Sequence, residues 1–92
     1  MSRVYREKSN YIGLLRMCLQ VREDYGNLTY RRDAQGNEYL ILSDIIGQVS
    51  MFNITGFSEE KILANICYIM CGNTPNNIIT DKKERMRIAR LK

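Results

Sequence analysis

The sequence predicts a single α+β domain, mainly helical with about four helices and one antiparallel β-hairpin. Three observations lead there. The run Phe57–Gly72, FSEEKILANICYIMCG, has every mark of a helix. The hydrophobic period changes from helical to alternating between Leu28 and Leu42. A chain of 92 residues, 45% of them apolar, has enough core for one domain and too little for two.

Residues 1–8 are polar and basic, anchored only by Val4 and Tyr5, and read as a short arm or an extra turn leading into the first helix. From Ser9 or Asn10, either an acceptable cap, a helix is expected to run to about Tyr25. Tyr11, Leu14, Leu15, Cys18, Val21 and Tyr25 form its stripe, with Ile12 and Leu19 beside it and Gly26 ending it.

Leu28–Arg32 and Glu38–Leu42 then favour strands, and the five residues Asp33-Ala34-Gln35-Gly36-Asn37 between them favour a turn. One face of such a hairpin should pack on helices, because a hairpin alone is marginal in water. Ser43 is expected to cap a short helix from Asp44 to Phe52, with Ile45, Ile46, Val49 and Phe52 as its stripe. A single longer helix over residues 39–52 is the competing reading.

The central helix follows. Ser58 caps it, Glu59 and Glu60 place negative charge in its first turn, and Phe57 and Ile62 have staple spacing. Ile62, Leu63, Ile66, Ile69 and Met70 make one face, which Ala64, Cys67 and Tyr68 widen. So apolar a helix needs partners on more than one side. Gly72 ends it at a left-handed position. Residues 73–77 form a loop with the only proline, and Ile78 and Ile79 return to the core. Asp81 and Glu84 have capping-box spacing for a last helix, DKKERMRIARLK, although Thr80 competes for the cap.

The chemistry-bearing residues are sparse. Histidine is absent, which removes the commonest general base and metal ligand, and no catalytic or phosphate-loop motif appears. The reading is therefore of a non-enzymatic protein without cofactor or metal. Cys18, Cys67 and Cys71 lie in helical apolar faces and lack zinc-site spacing, so they read as small hydrophobes in a reducing compartment. No run suits a membrane span or signal peptide, and the expected location is the cytoplasm.

Charge is the informative feature. Net charge is +4; residues 81–92 carry six basic and two acidic residues, while residues 1–80 carry eight of each. Such asymmetry concerns partners and not fold. On the last helix Lys82, Lys83 and Arg90 fall on one flank, Arg85 and Lys92 on another, and Arg87 further round. No continuous apolar stripe docks this helix, so it is expected to fray unless a polyanion orders it. Its alternative reading is a solvated helix serving solubility.

Arg31 and Arg32, close to Tyr30 and Tyr39, suit single-stranded nucleic acid, although tyrosines in a hairpin also serve as packing pairs. Arg3 and Arg6 complete the candidate partner-binding set of Lys82, Lys83, Arg85, Arg87, Arg90, Arg31 and Arg32. A helix-turn-helix over residues 43–70 is disfavoured, because Glu59 and Glu60 would meet the phosphates. The expected partner is a larger protein or ribonucleoprotein complex with RNA or DNA phosphate contact, and neither a membrane nor a small-molecule substrate.

In length, missing histidine and missing motifs, and in its opening MSRVYREKSNYIGLL and basic ending DKKERMRIARLK, the chain resembles small phage-encoded inhibitors, the anti-CRISPR proteins of type I systems. That resemblance implies steric blockage of a surveillance complex in the host cytoplasm, through Cas subunits and guide RNA, and carries over no individual residue. The alternative is a small DNA- or RNA-binding regulator using its basic termini directly.

Overall fold

The computed structural model describes residues 7–15 and 25–91. They form helix α1 (7–15), strands β1 (Tyr25–Arg32), β2 (Glu38–Asp44) and β3 (Val49–Asn53), and helices α2 (Glu59–Met70) and α3 (Lys82–Ala89). The class is α+β as expected, but the described chain has three helices and a three-stranded antiparallel sheet, ordered β1-β2-β3.

The sheet alternates strictly between two cores. Leu28, Tyr30, Leu40, Leu42 and Phe52 point to one side, where Ile12 of α1 and Ile62 and Ile66 of α2 complete a buried cluster with Ile54. Tyr39 and Met51 point to the other side and bury against Ile88 of α3, with Ile41, Ile79 and Leu91 around them. A period of two along the strands therefore produces a helix layer on each face.

The expected helix over residues 44–52 is absent, and the reason is turn chemistry. Asp44 Oδ1 accepts from the N–H groups of Ile46 and Gln48, Gly47 takes φ 90°, and Asp44 N–H bonds to Gln48 O. The chain is thereby reversed after β2, and residues 49–53 pair with it. Extended, Met51 and Phe52 enter opposite cores, both at least 95% buried, which one helical stripe could not achieve. The first turn is built in the same way. Asp33 Oδ1 accepts from Gln35 and Asn37, Gly36 takes φ 88°, and Asp33 N–H bonds to Asn37 O. The two turns read D-A-Q-G-N and D-I-I-G-Q. A repeated turn motif thus escaped the sequence reading, masked by its two isoleucines.

The first helix also differs from expectation. It is already helical at residue 7, so neither Ser9 nor Asn10 caps it. Its buried residue is Ile12, while Leu14 is 62% exposed. Tyr25 starts β1, and Gly26 lies where the register shifts between Tyr25 and Asn27, so it ends no helix. Cys18, Leu19 and Val21 lie outside the described residues, as does the arm before residue 7.

α2 is bounded as the sequence predicts. Ser58 Oγ accepts from Lys61 N–H at 3.3 Å, and Gly72 takes φ 86° past the C-cap Cys71. Its burial is narrower. Only Ile62 and Ile66 are buried, whereas Leu63 and Tyr68 are 42% and 46% exposed, and Cys67 and Cys71 are exposed free thiols. One sheet face accepts one helical stripe, which leaves the widened face outside; the expectation of buried cysteines fails for these two.

The β3 edge of the sheet is closed by the chain itself. Residues 77–79 lie along β3, with Asn53 N–H on Asn77 O, Ile79 N–H on Met51 O, and a bridge between Phe52 and Ile78. A reciprocal amide pair between Asn65 and Asn77, 3.1 Å each way, fastens that segment to α2. On β1, Leu28 N–H donates to Asn27 Oδ1, and Arg31 donates to Tyr30 O. The β3 edge, covered by residues 77–79, presents no free row of backbone groups to another strand.

Candidate functional site on the outward face of α3

The last helix is docked by its own chain, contrary to expectation. Asp81 caps it, its carboxylate accepting from Glu84 N–H at 2.9 Å. Of the helix residues Ile88 alone is buried, with 0% exposure, so one deep anchor replaces the missing stripe. Full burial of one such side chain contributes about 1.5–3 kcal/mol.

Three arginines supply the rest. Arg85 donates to Val49 O at 2.7 Å and to Ile79 O at 3.5 Å, closing the last open carbonyl on the β3 edge. Arg87 donates to Tyr39 Oη at 2.7 Å, pairs with Asp33 Oδ2 at 3.3 Å and forms an ion pair with Glu84. Arg31 reaches from β1 to Leu91 O at 3.1 Å. Helix α3 therefore crosses the sheet from the β3 edge to the β1 edge.

The electrostatics follow these contacts. Donating to the Glu84 carboxylate and then to Tyr39 Oη raises the Arg87 pKa, and the same ion pair lowers that of Glu84. Burial alone would raise Asp33, but hydrogen bonds from Asn37, Gln35 and Arg87 hold its carboxyl below the usual range. Arg87 thus divides its charge between Glu84 on its own helix and Asp33 in the first hairpin turn.

With Ile88 set against the sheet, about 100° per residue places Arg90 and Lys83 on the opposite side and Lys82 on the shoulder. All three are exposed, and their side chains make no hydrogen bond or ion pair with the described residues. Met86, 49% exposed, lies among them. Among the described candidate residues, this outward face is the one cationic grouping. Arg32 is exposed elsewhere, its guanidinium alongside Gly36 in the first turn, and Arg3, Arg6 and Lys92 lie outside the described residues.

Two features escaped the sequence reading. Glu38 is buried at 8% exposure, where its carboxylate accepts from Lys8 Nζ at 2.9 and 3.0 Å, from Tyr30 Oη and from Gly56 N–H. Burial would raise its pKa, but those donors hold it low. Their separation, 30 positions for Lys8 and Glu38, hid the cluster from local patterns. An open groove of about 470 Å³ also runs along α2, lined by Phe57, Lys61, Asn65, Tyr68 and Asn77, with the Lys61 ammonium 4.3 Å from the Phe57 ring centre. The Asn65 and Asn77 amides facing it are already committed to each other.

Among the described residues no group of three or more cysteine, aspartate or glutamate side chains is placed to hold a metal ion, and no helix is long and apolar enough to cross a membrane. No protein-family model, curated protein or solved structure matches the chain.

Proposed function

We propose that the protein is a non-enzymatic binding protein that occupies a surface on a larger nucleoprotein complex and blocks it sterically. The observation that supports this is the division of the α3 cations. Arg85 and Arg87 are consumed by the fold, whereas Lys82, Lys83 and Arg90 project outward with no acidic partner among the described residues. Three outward cations on a firmly docked helix need no ordering step before they meet phosphates or an acidic rim, so binding there loses little to conformational entropy. Steric blockage is also what the resemblance to small phage-encoded inhibitors implies.

The test is affinity capture from host lysate with and without nuclease, comparing the native chain with a Lys82→Glu, Lys83→Glu, Arg90→Glu variant. One protein assembly retained after nuclease and lost in the variant is the expected result. Loss of all specific material on nuclease treatment would replace this reading with that of a direct nucleic-acid-binding regulator.

A further inference from the structure

The last helix has a matched counterpart in α2. Each begins with a side-chain cap, Ser58 in α2 and Asp81 in α3, followed by two exposed charged residues. In α2 these are Glu59 and Glu60, the sign that the macrodipole favours in a first turn. In α3 they are Lys82 and Lys83, the sign that it opposes. Neither lysine has an ion-pair partner among the described residues, so nothing in the described fold offsets that cost.

The charges of α3 are also sorted by side. With Ile88 against the sheet, about 100° per residue puts Asp81 and Glu84 on the sheet-facing half, where Asp81 caps the helix and Glu84 pairs with Arg87. The outward half holds Lys82, Lys83, Met86, Arg87, Ala89 and Arg90, and no carboxylate. The same sorting holds across the sheet. Residues 81–90 carry five basic and two acidic residues, whereas α1 and α2 on the opposite face carry two basic and three acidic between them. An approaching polyanion is therefore turned towards α3.

This face has the chemistry of a backbone contact and not of a protein anchor. Met86 is its one large apolar side chain, and it has no aromatic. Protein interfaces draw their energy from aromatic and aliphatic anchors in a desolvated centre and are depleted of lysine. Phosphate contacts need no such anchor, because each cation contributes by releasing counterions. Asparagine and glutamine, which read adenine in the major groove, are absent from the face. Lys83 and Arg90 stand two helical turns apart, about 10.5 Å, which matches about three phosphate steps of a stacked strand. Recognition of an anionic lipid surface calls for a cluster of about four to eight basic residues, more than the uncommitted cations here.

We propose that the outward face of α3 is a sequence-independent contact for the phosphodiester backbone of a nucleic acid, with Lys83 and Arg90 on two phosphates of one strand and Lys82 on a flanking one. This deepens the binding-protein reading above and rests on its outward cations, but commits them to phosphates and not to an acidic protein rim. Affinity should then depend on salt and not on base sequence.

Fluorescence anisotropy of labelled oligonucleotides at several salt concentrations tests this, using single-stranded DNA, single-stranded RNA and duplex DNA in two base sequences each. Binding of at least one of the three forms, with equal affinity for both sequences, is expected, and the tightest form identifies the source of the backbone. Lys83→Gln and Arg90→Gln should each lower the slope of log K against log salt by about 0.7 on single strands or about 0.9 on duplex, and Lys83→Arg should retain it. Lys61→Gln removes one exposed cation from the opposite helix layer and should leave the slope unchanged. Thermal melting confirms that each variant is folded. No binding at low salt, an unaltered slope in Lys83→Gln and Arg90→Gln, an equal loss in Lys61→Gln, or a complex as tight with poly-glutamate of matched charge would each overturn the inference. The lysate capture described above separates the two readings. Capture that still requires Lys82, Lys83 and Arg90, without oligonucleotide binding, would overturn this inference and leave the binding-protein reading standing. Oligonucleotide binding with the expected slopes, but no assembly retained after nuclease, would uphold this inference and remove that reading.

Discussion

Asp33 and Asp44 direct the same hydrogen bonds in two successive turns, but only Asp33 is also bonded to α3. Its second carboxylate oxygen takes Arg87 at 3.3 Å, Asn37 Nδ2 at 3.0 Å and Tyr39 Oη at 3.4 Å. One turn is therefore purely local, and the other joins the hairpin to the last helix.

Asp44→Ala should cost about 1 kcal/mol, the loss of local turn bonds. Asp33→Ala should cost about 2–3 kcal/mol, because it also strips Arg87 and Tyr39 of an acceptor. Urea unfolding of the two variants measures the difference. Equal losses would mean that the Arg87 contact contributes nothing.

The same pair of turns shows what was legible in the sequence. α2 could be read because its signals are local: Ser58, Glu59 and Glu60 at one end and Gly72 at the other act within a single helix. The first turn was legible because Ala34 and Gln35 look like loop residues. The second, with the same aspartate and glycine, was concealed by Ile45 and Ile46, whose apolar character mimics a helical stripe when the partner strand is unknown. α3 could be bounded but not docked, since Ile88 acts as an anchor only once β2 and β3 bring Tyr39 and Met51 together. The candidate cations were legible as a group. Their division into consumed and outward members depends on Val49 O, Tyr39 and Asp33, which are distant in sequence.

Lys8 and Glu38 hold α1 to the sheet with side chains only 13% and 10% exposed. Lys8→Met should cost about 3–5 kcal/mol by leaving Glu38 buried without its cation. Adding Glu38→Gln should recover part of that loss, giving a coupling energy in a double-mutant cycle. Additive losses would show that the two groups act independently.

Glu38 also sets a pH dependence. Its carboxyl is held below the ordinary glutamate value in the folded chain, so the unfolded chain binds the proton more readily. The stabilisation is complete above the ordinary glutamate pKa of about 4.3 and is lost as pH falls through that value towards the lowered one. Denaturation midpoints followed from neutral pH into this range should fall more steeply for the native chain than for Glu38→Gln. Parallel curves would assign the acid sensitivity elsewhere.

Ile88→Ala should release α3. Removing a fully buried isoleucine costs about 2–5 kcal/mol, and here it also exposes Tyr39 and Met51. Hydrogen exchange should show the α3 amides losing protection while α2 amides keep theirs, because α2 belongs to the opposite core. Uniform loss of protection would mean that the two cores unfold as one unit.

The cations of α3 should separate by function. Arg85→Gln and Arg87→Gln each remove contacts that bind the helix to β3 or to the first turn, so both should lower stability. Lys82→Gln, Lys83→Gln and Arg90→Gln touch none of the described residues and should stay within about 0.5 kcal/mol of the native chain. If phosphates are the counterpart of the outward face, the triple substitution should also weaken binding to a polyanion and flatten its dependence on salt. Each lost phosphate contact lowers the slope of log K against log salt by about 0.7–0.9, so three should remove about 2–3 from it. Heparin titrations at several salt concentrations, alongside urea unfolding, measure both quantities on the same variants. A triple variant that is stable and keeps the native slope would show that these cations serve solubility alone.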